Sequence, residues 1–258
     1  MRGTGHERAP EPHALDTTVD DPASTAEDEV TPPHRELDEI IAVISHDLRG
    51  PLSALSVAID ALEDEELDRA TRKRYTDAMR RAIARAERFL GELLDVGRIE
   101  SGTLRVEAQS TAVLSLLEEA ARRNEDLARE AGNWFTVDIA QAALALDADR
   151  ERVLQALDAL IANAIRFARG TGSITLRAET IDDGLVRLWV IDRGPGIPHG
   201  QAERLFERPW RARGERRTGA GLGLVIARGV AEAHGGALRV VSRAGDGARF
   251  CLELPQGG

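Results

Sequence analysis

Four short stretches of this 258-residue chain carry residue types whose spacing could do chemistry. The first is Ile44-Ser-His-Asp-Leu-Arg-Gly-Pro-Leu-Ser53. Asp47 beside His46 can hold one ring nitrogen of the imidazole protonated, which leaves the other as a nucleophile. Ile44 and Leu48 stand two residues to either side, so a helix here puts His46 on the flank of its apolar seam, facing solvent. Pro51 lacks an amide donor and its ring crowds the carbonyl of Asp47, which bends the turn carrying the pair. Alone, a His-Asp pair on a helix is also what an ordinary solvated polar face looks like.

The second stretch, Asp192-Arg-Gly-Pro-Gly-Ile-Pro198, follows an apolar run and ends it with a carboxylate. Gly194 and Gly196 would let the backbone come close to a ligand there. The third, Thr218-Gly-Ala-Gly-Leu-Gly-Leu-Val-Ile226, leads glycines at 219, 221 and 223, with Leu222 between them, into a helix. Free backbone N–H groups at such a helix start suit a phosphate chain. It is not a dinucleotide fingerprint, because it follows an arginine-rich loop instead of a strand. In the fourth, Leu160-Ile-Ala-Asn-Ala-Ile-Arg-Phe167, Asn163 interrupts an apolar helix face and Arg166 lies three residues on. Such an asparagine can bond backbone or, beside a nucleotide, offer magnesium an oxygen ligand.

These stretches need elements to hold them. From Arg35 to Leu62 and from Tyr75 to Val96, apolar residues step by three and four, and the polar run Glu63–Asp68 separates the two. This predicts an antiparallel helical hairpin with more apolar seam than one hairpin can bury, hence a homodimer closing as a four-helix bundle. After Gly102 strands are expected at Leu104–Ala108, Trp134–Ile139, Ser173–Thr180, Leu185–Asp192, Ala237–Ser242 and Ala248–Leu254. Helices are expected at Thr111–Glu130, Asp149–Ala168 and Gly221–His234, so the class is α+β, a sheet with helices on one face. The polar, arginine-rich stretch Pro198–Gly219 reads as a lid. The division is a proline-rich acidic tail over 1–33 expected to be disordered, a hairpin over 34–101 and a ligand-binding domain over 102–258. A net charge of −10 argues against nucleic acid as a main partner. No apolar run is long enough to span a bilayer, no secretory signal opens the chain, and one cysteine, Cys251, excludes an internal disulfide. A cytoplasmic protein is expected.

In order and spacing, the stretches resemble the sensor histidine kinases of bacterial two-component systems, from about Arg35 to Pro255. Ser45-His-Asp-Leu-Arg-Gly-Pro-Leu52 is similar to the phosphoacceptor box, Asn163-Ala-Ile-Arg-Phe167 to the asparagine box, and Asp192-Arg-Gly-Pro-Gly-Ile197 to the first glycine box. Leu205-Phe-Glu-Arg-Pro-Trp-Arg211 is similar to the phenylalanine box and Gly219-Ala-Gly-Leu-Gly-Leu224 to the second glycine box. The resemblance implies a phosphotransfer hairpin followed by a two-layer α/β sandwich of the Bergerat ATPase type. It implies ATP and Mg²⁺, with Asp192 on the adenine amino group, Asn163 on the metal, and Arg166 and the 219–224 glycines on the phosphates. Gly194 and Gly196 would line the nucleotide and Phe206 would belong to the lid. His46 would attack the γ-phosphate through Nε2 with Asp47 as general base, then pass the phosphoryl group to an aspartate of a response regulator receiver domain. Input would come from a separate sensor protein, or the chain is a kinase core without its sensor.

Two positions depart from the family pattern. Gly50 stands four residues after the histidine, where the family often has a threonine or asparagine associated with phosphatase activity. Ala159 stands where another asparagine is common. An alternative reading, supported by Ala159, is a catalytically weak pseudokinase that binds a regulator as a dimeric scaffold. Another is a different Bergerat-type ATPase, against which the His46 helix and the short chain both count.

Overall fold

The computed structural model describes residues 33–64, 66–139, 141, 144–168, 170, 172–181, 184–198, 200–201, 203–206 and 221–257. The tail and Gly219 therefore lie outside the described residues, as does most of the stretch read as a lid.

Two long helices come first, α1 (Pro33–Leu62) and α2 (Arg69–Glu100). Asp68 starts α2 as its cap, its carboxylate accepting from the Ala70 and Thr71 N–H groups at 2.8 and 2.9 Å. Two of the orphan donors of a helix start are thereby satisfied. Ala58 of α1 and Ala82, Phe89 and Val96 of α2 are buried along the hairpin seam. Pro51 sits inside α1 without ending it. Other apolar side chains of the hairpin stay in the open: Leu52, Ile59, Leu90 and Leu94 are 48 to 65% exposed.

The remaining elements are β1 (Gln109–Ala112), α3 (Val113–Glu130), β2 (Asn133–Ile139), β3 (Ala145–Ala148), α4 (Arg150–Phe167), β4 (Gly172–Ile181), β5 (Leu185–Ile191), a 3₁₀ turn (Glu203–Phe206), α5 (Leu222–Ala233), β6 (Ala237–Ser242) and β7 (Ala248–Pro255). Five strands form one sheet in the order β2-β4-β5-β7-β6, parallel only between β2 and β4. Alternation sets the layers. Ile174, Leu176, Val186, Leu188, Val190, Phe250, Leu252 and Leu254 are buried on one face, in a single core with Leu116, Leu117, Leu157, Ile161 and Ile226 of the helices. The opposite face carries cross-strand polar groups, with Arg187 and Arg239 both donating to Glu253 at 2.9 and 2.7 Å. This is the expected α+β arrangement of a helical hairpin followed by a two-layer sandwich.

One expected strand is corrected. Leu104–Ala108 is not a strand; pairing begins at Gln109, where β1 and β3 form a separate antiparallel pair. The strand takes the first residues of the helix expected from Thr111, which begins at Val113 instead. Thr111 is buried there, its hydroxyl donating to the Gln109 and Ala148 carbonyls.

Candidate active site

His46 projects from α1 with 71% of its side chain exposed. Its Nδ1 lies 2.8 Å from Asp47 Oδ1. A carboxylate can only accept, so this contact places the ring proton on Nδ1 and leaves the Nε2 lone pair outward. Ile44 and Leu48, each about 160° from His46 around the helix, pack toward the core. Val43, about 60° from His46, packs there too, so the imidazole lies beside the packed face.

The other candidate residues, apart from Gly219, lie around the end of β5 and the facing ends of α4 and α5. Asp192 follows β5 and is buried. One carboxylate oxygen accepts from the N–H of Gly194 at 2.8 Å and from that of Ala248 at 3.3 Å. Burial pushes its pKa up, and the two backbone donors only partly offset this. The turn after it is held closely. A Cβ at Gly194 would meet the Asp192 carboxylate and the Phe167 carbonyl, and Gly196 has φ +70° with the Arg243 carbonyl where a Cβ would sit. Two supports of this turn have no signal in the sequence. Ser242 Oγ accepts from the Ile197 N–H at 2.9 Å and donates to the Gly247 carbonyl at 2.6 Å, tying β6 and the β7 approach to the glycine turn.

Asn163 is half-buried on α4 and Arg166 exposed one turn on, its guanidinium 5.0 Å from the Phe167 ring centroid. Gly221 starts α5 at φ +64°, and Leu222 behind it is buried. Gly223 lies so near α4 that a Cβ there would come within 3.1 Å of the Ala159 Cβ. The small residue at 159 thus allows α5 to lie on α4, bringing the glycine turn toward the helix that carries Asn163. The 3₁₀ turn with Phe206, also half-buried, packs against α5. Asp192, Gly194, Gly196, Asn163, Arg166, Phe206, Gly221, Leu222 and Gly223 therefore belong to one neighbourhood, linked through Phe167 and Ala159. His46 and Asp47 stand apart on the hairpin.

Comparison with known proteins fits this arrangement. Residues 36–102 match the His Kinase A (phospho-acceptor) domain, and residues 148–258 match the histidine kinase-, DNA gyrase B- and HSP90-like ATPases. The catalytic domain of the histidine kinase ThkA is 30% identical, with a TM-score of 0.52, over 58% of this chain and 96% of that one. The chain belongs to the histidine kinase family. ThkA in complex with the response regulator protein TrrA is similar over 86% of the present kinase and 62% of that chain, at 25% identity and a TM-score of 0.61. Full-length ShkA in complex with AMPPNP is 29% identical over 85% of this chain and 46% of that one, with a TM-score of 0.64. The adaptive-response sensory kinase SasA of Synechocystis sp. is 32% identical over 225 residues, 84% of this chain. The kinase spans 59% of the length of that relative. Among the described residues, no helix is long and apolar enough to cross a membrane.

Proposed function

We propose that this chain is an ATP-dependent protein-histidine kinase that phosphorylates His46 and passes the phosphoryl group to an aspartate of a response regulator. The observation that carries this reading is the His46–Asp47 contact, a nucleophile with its tautomer set, on a chain that also bears an ATPase-type sandwich. The working division is a tail over 1–33, a phosphotransfer hairpin over 34–101 and an ATP-binding domain over 102–258. The half-exposed Leu52, Ile59, Leu90 and Leu94 support pairing of two hairpins in a homodimeric bundle.

In this reading the free oxygen of Asp192 accepts from the adenine amino group, because its other oxygen is already engaged by backbone. Arg166 and the glycines 219, 221 and 223 hold the phosphates, Gly194 and Gly196 admit the base, and Leu222 and Phe206 close the pocket. Asn163 suits Mg²⁺: the residue is half-buried and its side chain makes no hydrogen bond to the described residues. When bound, the ion supplies positive charge beside the phosphates. His46 Nε2 attacks the γ-phosphorus and the bond from that phosphorus to the β–γ bridging oxygen breaks, releasing ADP. The imidazole becomes cationic as the N–P bond forms, and Asp47 takes up the Nδ1 proton. Positioning and charge neutralisation are the main demands of such a transfer. A response regulator similar to TrrA is the acceptor this reading supports. The test is incubation of the purified chain with Mg-ATP. Acid-labile, base-stable phosphate on the protein is expected, and its absence with intact ATP binding would favour a dimeric scaffold.

A further inference from the structure

Two carboxylates meet in the seam of the hairpin, where apolar side chains are expected. On α1, Asp47 lies one turn from Val43 and one from Pro51, the first packed against the core and the second buried. It shares their stripe, and only 17% of its side chain is exposed, against 71% for the neighbouring His46. On α2, Glu92 lies between the buried Phe89 and Val96, one turn from each. It is half-buried and makes no hydrogen bond or ion pair among the described residues. Asp95, three residues farther on, is the contrast: it is buried but accepts from Arg152 Nη1 at 2.8 Å and Gln155 Nε2 at 2.7 Å, both on α4. Burial pushes the pKa of Glu92 up; the Arg88 charge one turn back opposes this, while the charges of Asp47 and Asp95 add to it. Farther along, α5 meets α2 at Ile99 through Gly229, where the Arg228 guanidinium donates to Glu232.

Like charges set into an apolar seam cost stability, and an apolar residue at position 92 would avoid that cost. What the arrangement supplies is negative potential beside Asp47, and the reaction on His46 has a use for it. The imidazole turns cationic as the N–P bond forms, and Asp47 takes up the Nδ1 proton. A second negative charge favours both events, since it attracts the imidazolium and the proton transfer relieves a like-charge repulsion. We propose that Glu92 is a positioning residue for the phosphorylation of His46, acting through Asp47: its carboxylate supplies the negative potential that draws the Nδ1 proton onto Asp47. The proton moves only from His46 to Asp47, and none passes to Glu92. The inference rests on the kinase reading above.

The experiment measures initial autophosphorylation rates of wild type, Glu92→Gln and Glu92→Asp over a range of ATP concentrations, from mildly acidic to mildly alkaline pH. A like charge at a shared site changes proton affinity by about tenfold or more. The proton is only part-way across in the transition state, so Glu92→Gln should lower kcat by about three- to tenfold. KM for ATP should stay unchanged, because Glu92 lies on the hairpin, away from the nucleotide neighbourhood. Glu92 loses its charge on acidification, beginning above the usual carboxylate range, so the wild-type advantage should shrink toward unity there. Glu92→Asp keeps the charge and should keep most of the rate. The apo Tm should stay level or rise in Glu92→Gln, since the amide has no charge to desolvate. An unchanged kcat in Glu92→Gln would overturn the proposal. So would a fall of equal size at every pH, or one shared by Glu92→Asp together with a lower Tm, the marks of a merely structural role. Wild type that binds ATP but takes no label would instead overturn the kinase reading on which the proposal stands.

Discussion

Replacing Asp192 by asparagine removes a charge from the nucleotide neighbourhood and leaves its shape nearly unchanged. The asparagine oxygen can still accept from the Gly194 N–H, now made at 2.8 Å. Its amide nitrogen would then turn two donors toward an adenine amino group that is itself a donor. Loss of a hydrogen bond to a charged group costs about 1.5–3 kcal/mol, which is roughly a 10- to 160-fold rise in Kd for ATP. The apo protein should respond in the opposite sense. Burial raises the pKa of Asp192 above its unfolded value, so the folded protein holds this proton more tightly and ionisation on raising pH costs stability. Asparagine has no such cost, so the unliganded Tm should stay level or rise. The same shift predicts that wild-type ATP affinity begins to fall on acidification above the usual carboxylate range, a fall that Asp192→Asn should lack. Calorimetric titration at several pH values, with thermal melts of the apo protein, measures all three. Wild-type affinity in a folded Asp192→Asn protein would refute this placement of the adenine pocket.

Three further outcomes are expected. Gly50→Thr should raise the rate at which the kinase dephosphorylates its regulator in the presence of ADP, since a Cβ at Gly50 meets nothing within 4 Å and wild type offers no side chain there; fast decay with wild type over a no-kinase control would contradict this. His234→Ala should cost about 1–3 kcal/mol in chemical denaturation, because Nε2 accepts the Asp149 N–H at 2.9 Å and Nδ1 donates to the Val230 carbonyl at 2.8 Å in a buried setting; equal midpoints would show the pair to be dispensable. Asn133→Val should stabilise the fold by a comparable amount, as both polar atoms of Asn133 are buried without a partner among the described residues, and a lower Tm would show that the amide is satisfied in solution.

Local pattern carried much of the architecture. The stepping of Ile44, Leu48 and Leu55, or of Phe89 and Val96, is a property of consecutive turns, as is the alternation in Leu185–Ile191. The glycine turns were equally visible, because positive φ and close backbone approach demand glycine wherever they occur. What escaped depends on partners far away in the chain. The segment Ala145–Ala148 has little strand propensity of its own and exists as β3 by pairing with β1. That pairing also moved the strand expected at Leu104–Ala108. Asp95 looks like one more acidic residue on a charged helix until Arg152 and Gln155, on another element, close on it. His234 likewise finds the Asp149 N–H across 85 residues. Ala159 stood out in sequence as a missing asparagine, and its packing reason, the approach of Gly223, belongs to the α4–α5 contact.

The proposed chemistry turns on one atom: Asp47 occupies Nδ1 of His46, so the phosphoryl group goes to Nε2. Nitrogen–phosphorus NMR on ¹⁵N-histidine-labelled protein after reaction with Mg-ATP reads the phosphorylated nitrogen directly, with His46→Ala as the control. One phosphohistidine is expected, substituted at Nε2 and absent from His46→Ala. Phosphate on Nδ1, or a phosphohistidine signal that survives in His46→Ala, would contradict it.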